Sequence, residues 1–438
     1  MTPHQNAHDR SEKDGRGSLR SRSIVGLLVC VLIPLYVFNI ALLRPKLYMP
    51  DEVIFDEHYF IDTIKALRET GQYRYLTEYT THPPNGTILS AMAVSLFGDT
   101  PFGWRIVPLI SHLIVLTLTV WLGVFIFDSV AVGALAAMLL SLDGIAFGQA
   151  STLFFNGQML AFLLASLLAA LYAEKSCSRR AAGWLLGASG VCLGIAAGFR
   201  WPALFFSGPL IVVLLRSAWI HKRVSQALWN LFVFSVGVVF GYLAPMTLLA
   251  FWGAWDSYSL YEFHLDTFLA VYNLKCEHRY NSPWWSWPIL QRPVWYYFQP
   301  PNVFQEIPSI RGVVALGNPL IFALIPLAVV AHIFQWASGV GRSSRILLVS
   351  ALSMWLPWGL VNANTYIHYI YPTLPFTLLL VSDSLVSLWR LAKPWSRAVV
   401  AIVICWTVFL FWTFYPLYIG QEIPETQWQS LMWLKSWI

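Results

Sequence analysis

Two Asp-Glu pairs stand five positions apart in "LYMPDEVIFDEHYF", residues 47–60. At about 100° per residue, Asp51 and Asp56 would lie roughly 140° apart on a helix, so they cannot share one task on one face. Asp56 and Glu57 open an apolar-periodic pattern running to Thr70, and acidic residues favour a helix N-terminus. They also follow closely on an apolar run, where burial can raise a carboxylate from about 4 toward neutrality. That chemistry suits a general base, while solvating a loop or capping a helix uses the same residues equally well.

Other side chains could join them. His82 begins "HPPNG", a turn whose two prolines could hold an imidazole against a substrate or simply make a rigid corner. Arg105, in "GDTPFGWRIVP", lies where the chain re-enters the membrane, and an unpaired guanidinium there is costly. Asp143 in "SLDGIAF" and Arg200 in "AGFRWP" lie near the outer ends of apolar runs, a depth at which ionisable residues are functional candidates. Arg200, with Trp201 beside it, could grip a phosphate bidentately. Arg292 in "QRPVWYY" could serve an anion or a ring. His264, His278 and His368 take no role at this stage. Walker-type glycine loops, zinc-ligand spacings and a Gly-x-Ser-x-Gly elbow do not occur.

The elements that position these residues follow from composition. Of 438 residues 57% are hydrophobic and 11% charged, against about 25% charged in a soluble domain. The chain therefore reads as an all-α polytopic membrane protein. Windows of about 19 residues give about eleven spans, near 24–43, 104–127, 129–149, 152–174, 182–199, 202–216, 228–251, 313–335, 346–361, 366–386 and 397–418. The formal charge of +6 suggests nucleic acid only until its distribution is considered. The basic residues cluster between spans, in "EKSCSRR", "RSAWIHKRVS", "GVGRSSR" and "WRLAKPWSR", and report orientation instead.

That asymmetry places the N-terminus and these clusters in the cytoplasm. Residues 1–23 read as a disordered cytoplasmic tail, and the run behind them as a retained span, for want of a small-residue cleavage site. Two long segments, 44–103 and 252–312, then fall on the external face within a transmembrane domain of 24–418, with 419–438 as an external C-terminal segment. Their Trp, Tyr, Pro and His content is that of ordered, functional loops. The five cysteines imply no disulfide framework.

The order of "VIFDEHYF", "HPPNGTILSAMAVSLFGDTPFGWRI", "SLDGIAFGQAS", "GFRWPALFF", "SPWWSWPILQRPVWYYF", "LGNPLIFALIPLAV" and "YIHYIYPTLPF" resembles the protein O-mannosyltransferase (dolichyl-phosphate-mannose-protein mannosyltransferase) family over most of residues 50–385. The resemblance implies a GT-C type architecture with an acidic pair in the first external loop, and it places that pair on Asp56 and Glu57. It also aligns Arg105 with the family's basic residue after that loop, and Arg200 with a Lys usually found before Trp. Thr87, Ser151 and Asn156 depart from the family's usual Lys, Arg and Asp. The second external loop is too short for the repeats of eukaryotic members, so the chain resembles a compact prokaryotic form.

What the resemblance implies is an inverting glycosyltransferase of the cell membrane, with its active site on the external face. It would move mannose from a polyprenyl-phosphate donor to Ser or Thr hydroxyls of secreted or membrane proteins. Asp56 would be the base, Arg105 and Arg200 would stabilise the departing phosphate, and Glu57 and His82 would orient groups around them, with His82, Asp143, Trp201 and Arg292 joining Arg200 in binding the donor's phosphate and sugar. No cofactor or metal is expected beyond the donor, and no nucleic-acid partner. A lipid or glycan acceptor is the nearest alternative. A polyprenyl-linked sugar transporter is the other, although the paired broken helices of two matching halves are not found.

Overall fold

The computed structural model describes residues 3–73, 82–220, 224–255, 259–273, 278–301, 307–339, 344–361 and 363–438. In a bilayer each backbone N–H and C=O must be bonded within its own segment, so long apolar runs fold as helices. In chain order these are α1 (Pro3–Tyr48), α2 (Glu57–Thr70), α3 (Asn85–Phe97), α4 (Pro101–Phe127), α5 (Val130–Ser141), α6 (Gly144–Ser151), α7 (Asn156–Lys175) and α8 (Arg179–Phe199). There follow α9 (Ser207–Ile220), α10 (Val224–Phe251), α11 (Leu260–Asn273), α12 (Pro319–Ala337), α13 (Arg345–Trp355), α14 (Leu374–Arg390), α15 (Pro394–Ile419) and α16 (Glu425–Leu431).

Among the described residues eight helices are long and apolar enough to cross a membrane, or nine if α5 and α6, bent by 73°, form one broken span. Eleven were expected. The other two, Trp201–Arg216 and Arg345–Leu360, are apolar but short, and each contains a 3₁₀ turn opened by a proline, Pro202 or Pro357. The span expected at 313–335 starts later, because 313–315 belong to a strand. Residues 3–23, expected as a loose tail, continue the helix of the first span.

Small residues and buried polar groups join the spans, as they must where lipid supplies no hydrophobic drive. Gly190 and Gly194 of α8 face α10 so closely that a Cβ would stand 2.1 Å from the Phe234 carbonyl and 2.2 Å from that of Val238. Between α1, α4 and α5, the Asn39 amide donates to Ser141 at 2.9 Å and meets His112 Nε2 at 3.1 Å.

The two long segments between spans are built structures that touch each other. Strands β1 (Val294–Gln299) and β2 (Ser309–Ala315) pair antiparallel, and β3 (Glu422–Pro424), from the C-terminal segment, adds to β2 with Ile310 opposite Ile423. This sheet is absent from the all-α reading. Its "VWYYF" run, which passes for an interfacial aromatic belt, is also the composition of a strand. The Phe55 ring of the first segment packs on Tyr296 of β1 at 4.9 Å between centroids, which brings both segments over one end of the helices.

Candidate active site

Glu57, the second residue of the pair, is wholly buried. Arg105 donates to it twice, Nε to Oε1 at 2.9 Å and Nη2 to Oε2 at 2.8 Å. The backbone amides of Leu153 and Ile54 complete the carboxylate at 3.0 and 3.1 Å. The remaining donors of Arg105 go to the carbonyls of Lys46, Pro50 and Glu52. A guanidinium so occupied has nothing left for a phosphate. The expected role of Arg105 at the departing group is therefore corrected: with Glu57 it ties the end of α1, the following turn and the start of α2 to α4 and to the turn after α6.

That clamp fixes Asp56. Phe55 before it adopts a left-handed backbone, φ 48°, a conformation that costs a non-glycine residue free energy and persists only where the surroundings enforce it. Here the Phe55 ring is wedged against Phe154 and Tyr296. The Asp56 side chain is half-buried and does not cap α2, and among the described residues it accepts no hydrogen bond. Burial pushes its carboxyl up to about 6, against a smaller opposing pull from Arg200 and then His58.

Arg200 is the cation facing it. A buried polar relay holds it: Arg200 Nη1 donates to Asn156 Oδ1 at 2.7 Å, Asn156 Nδ2 to Gln149 Oε1 at 2.7 Å, and Gln149 Nε2 to the Tyr296 hydroxyl at 2.9 Å. The guanidinium lies 5.4 Å from the Tyr369 ring centroid, and its Nε is buried without a partner. No carboxylate stands within ion-pair distance of it among the described residues. The charge of Arg200 is thus held in place and not neutralised, beside a carboxylate ready to take a proton.

The remaining expected residues divide. His82 lies near this centre, its ring stacked on Phe60 of α2 at 5.9 Å and edge-on to Phe155 at 6.3 Å. The Trp201 indole turns away to donate to the Tyr242 hydroxyl at 2.9 Å and stacks on His264 at 6.2 Å. Asp143 is corrected from a donor-binding residue to a buried anchor: Oδ1 caps α6 at Ala146 N, 3.0 Å, and Oδ2 takes Asn318 N at 2.9 Å. Arg292 is corrected likewise, because it binds the carbonyls of Arg279, Ser436 and Ile438 and so secures the C-terminus. Among the described residues no three His, Cys, Asp or Glu side chains group as metal ligands.

The family model described as "Dolichyl-phosphate-mannose-protein mannosyltransferase" matches residues 32–261, and that of the "C-terminal four TMM region of protein-O-mannosyltransferase" matches residues 257–437. The chain is a member of the dolichyl-phosphate-mannose-protein mannosyltransferase family. It is similar to the polyprenol-phosphate-mannose–protein mannosyltransferase of Mycobacterium tuberculosis, 25% identical with 81% of this chain and 80% of the relative covered. The enzyme of the same name from Mycolicibacterium smegmatis is 24% identical, with 81% of each covered. In fold it resembles the Saccharomyces cerevisiae Pmt1-Pmt2 complex bound to the sugar donor, with TM-score 0.76, 13% identity and 94% of this chain and 92% of that one covered. ArnT from Cupriavidus metallidurans bound to undecaprenyl phosphate gives 0.56 at 14% identity, covering 91% and 77%. The GT-C type architecture expected from the motifs is therefore the observed one, and the protein is a membrane mannosyltransferase.

For this mannosyltransferase the departures from the resembled pattern acquire a place. Asn156 is the residue that holds Arg200, and being an uncharged amide it orients the guanidinium without cancelling its charge. Among the described residues the Ser151 hydroxyl bonds only the Phe147 carbonyl of its own helix, at 2.7 Å. Sequence reading left Gln149, Tyr296, Tyr369 and His368 without roles, although all four line this centre. Nothing in their spacing groups them, since they come from α6, β1 and the 3₁₀ turn Ile367–Thr373. Lys46, wholly buried with its amine unpartnered, also escaped notice.

Proposed function

We propose that this mannosyltransferase moves mannose from a polyprenyl-phosphate donor to a Ser or Thr hydroxyl of an exported protein, on the external face of the cell membrane. The observation that carries the reading is the pairing of Asp56, raised toward neutral pH, with Arg200: among the described residues the Asp56 carboxylate accepts no hydrogen bond and the Arg200 guanidinium has no carboxylate partner. In this reading Asp56 takes the hydroxyl proton while the oxygen attacks the anomeric carbon. The bond from that carbon to the phosphate oxygen breaks on the opposite side, so configuration inverts and polyprenyl phosphate departs with one more negative charge. Arg200 meets that charge, an electrostatic contribution typically of a few kcal/mol. Since the leaving group is already an anionic phosphate ester, the reading calls for no divalent metal.

Two further features support it. An apolar groove of about 300 Å³ between α3, α8 and α10 includes Ile195, one turn before Arg200, and Gly241 beside the Tyr242 that holds Trp201. Its rim residues Met92, Phe240 and Trp252 are exposed, as a course for a lipid tail requires. The relatives' names specify a polyprenol-phosphate mannose donor and a protein acceptor.

The test is incubation of purified protein with polyprenyl-phosphate mannose and a Ser/Thr-containing peptide, followed by mass spectrometry of peptide and lipid. A hexose on the peptide hydroxyl is the expected product. Hexose recovered on added lipid, with the peptide untouched, would replace the protein acceptor by a lipid one.

A further inference from the structure

His368, in the 3₁₀ turn Ile367–Thr373, is 2% exposed. Its imidazole is enclosed by rings: Phe55 at 6.0 Å, Phe154 at 5.6 Å, Tyr296 at 5.7 Å, Tyr366 at 5.8 Å and Tyr369 at 4.8 Å between centroids. These belong to the segment bearing Asp56, the turn after α6, β1 and the turn itself, so the imidazole stands where the parts of the active centre meet. Three of these rings also touch the residues argued to do the chemistry. Phe55 immediately precedes Asp56, Tyr296 ends the relay to Arg200, and Tyr369 lies against the Arg200 guanidinium.

Within this box Nδ1 is buried and has no hydrogen-bond partner. A buried polar atom left unsatisfied costs about 1–3 kcal/mol, and a phenyl ring would fill an aromatic box without that cost. The neighbouring Arg200 Nε is buried and unpartnered as well. The two side chains flank one ring, that of Tyr369, whose centroid lies 4.8 Å from the imidazole and 5.4 Å from the guanidinium. A ligand rich in oxygen would supply the partner that each nitrogen lacks.

We propose that His368 is a donor-binding residue whose ring nitrogen hydrogen-bonds an oxygen of the sugar-phosphate, alongside Arg200. The proposal rests on the polyprenyl-phosphate mannose reading above. It adds a specificity contact to the one made by Arg200. A phosphate oxygen and a sugar hydroxyl share this chemistry, and comparing mannosylated donor with plain polyprenyl phosphate separates them.

The test uses the full-length protein in liposomes, with His368→Phe keeping a ring in the box, His368→Asn keeping an amide near Nδ1, and His368→Leu as the alternative apolar variant should the phenyl ring unfold the turn. Donor KM for polyprenyl-phosphate mannose, acceptor KM, and inhibition by polyprenyl phosphate are read for each variant that elutes as folded protein. The expected result is a donor KM raised about tenfold in His368→Phe, the size of one hydrogen bond, an unchanged acceptor KM, and substantial recovery in His368→Asn. Inhibition by polyprenyl phosphate weakened in parallel assigns the contact to the phosphate; inhibition unchanged assigns it to the sugar. A parental donor KM in the apolar variants, or an asparagine variant no better than they are, makes His368 a packing residue and overturns the proposal. A parent protein that neither binds nor uses polyprenyl-phosphate mannose overturns the donor reading itself, and the His368 contact with it.

Discussion

Asp56 and Glu57 are neighbours of equal chemistry in opposite surroundings. Four donors fill the Glu57 carboxylate, whereas that of Asp56 is half-buried and bare. Charge alone does not distinguish them in a sequence; the partners do. Because burial raises the Asp56 carboxyl to about 6, the base is ionised above that pH and protonated below it. Turnover at saturating donor is therefore expected to be level at pH 7 to 8 and to fall about tenfold per unit below about 6, with one proton taken up. A profile flat down to pH 5 would show that no group of this kind limits the reaction. At this scale the sequence singles out Asp56 and Arg200, which the fold places facing each other. It is misleading where the signal is a charge at depth, because burial at Arg105 and Asp143 reflects structural satisfaction by backbone groups as readily as it reflects chemistry, and the partly exposed Arg292 is likewise occupied by backbone carbonyls.

Helix α2 was legible to the residue, opened by acid at Glu57 and stopped by Gly71, whose left-handed φ of 68° lets its N–H reach the Leu67 carbonyl. The broken span of α5 and α6 was not. Its break depends on Asp143 bonding Asn318, 175 positions away, a pairing that no local pattern announces. The clamp between α2 and α4 is of the same kind and carries the element-scale prediction. Glu57→Gln leaves Arg105 buried without its counter-charge, and breaking a buried pair from one side typically costs about 3–5 kcal/mol. Arg105→Lys also fails to restore it, since one ammonium cannot span the carboxylate and three carbonyls. Both variants are expected to lower the unfolding temperature in detergent markedly, with donor KM little changed in the fraction that remains folded. Variants of parental stability but raised donor KM would return Arg105 to the phosphate.

Across the whole molecule, the chain brings the segments 44–103 and 252–312 and the C-terminal strand to one end, where Phe55 meets Tyr296 and Ile310 faces Ile423. The basic loops at 175–181, 217–227, 336–345 and 389–397 are expected at the other, cytoplasmic end. The loops at 217–227 and 336–345 include positions outside the described residues. In a protein cleared of its five cysteines, a cysteine at Trp285, a site 56% exposed, should react with an impermeant reagent on intact cells. One at 178 should react only after permeabilisation. The reverse pattern would move the active centre to the cytoplasm.

The account as a whole stands on Asp56 acting as the base, and the most direct test compares Asp56→Asn with Asp51→Asn in the reconstituted transfer reaction at equal folded amounts. Asp51 lies in an exposed turn five residues earlier, so both variants remove one charge from the same segment. Asp56→Asn is predicted to lower turnover by about 10²–10⁴-fold with donor KM little altered, while Asp51→Asn stays within a few-fold of the parent. Near-parental turnover in Asp56→Asn, or a large loss confined to Asp51→Asn, would contradict the assignment.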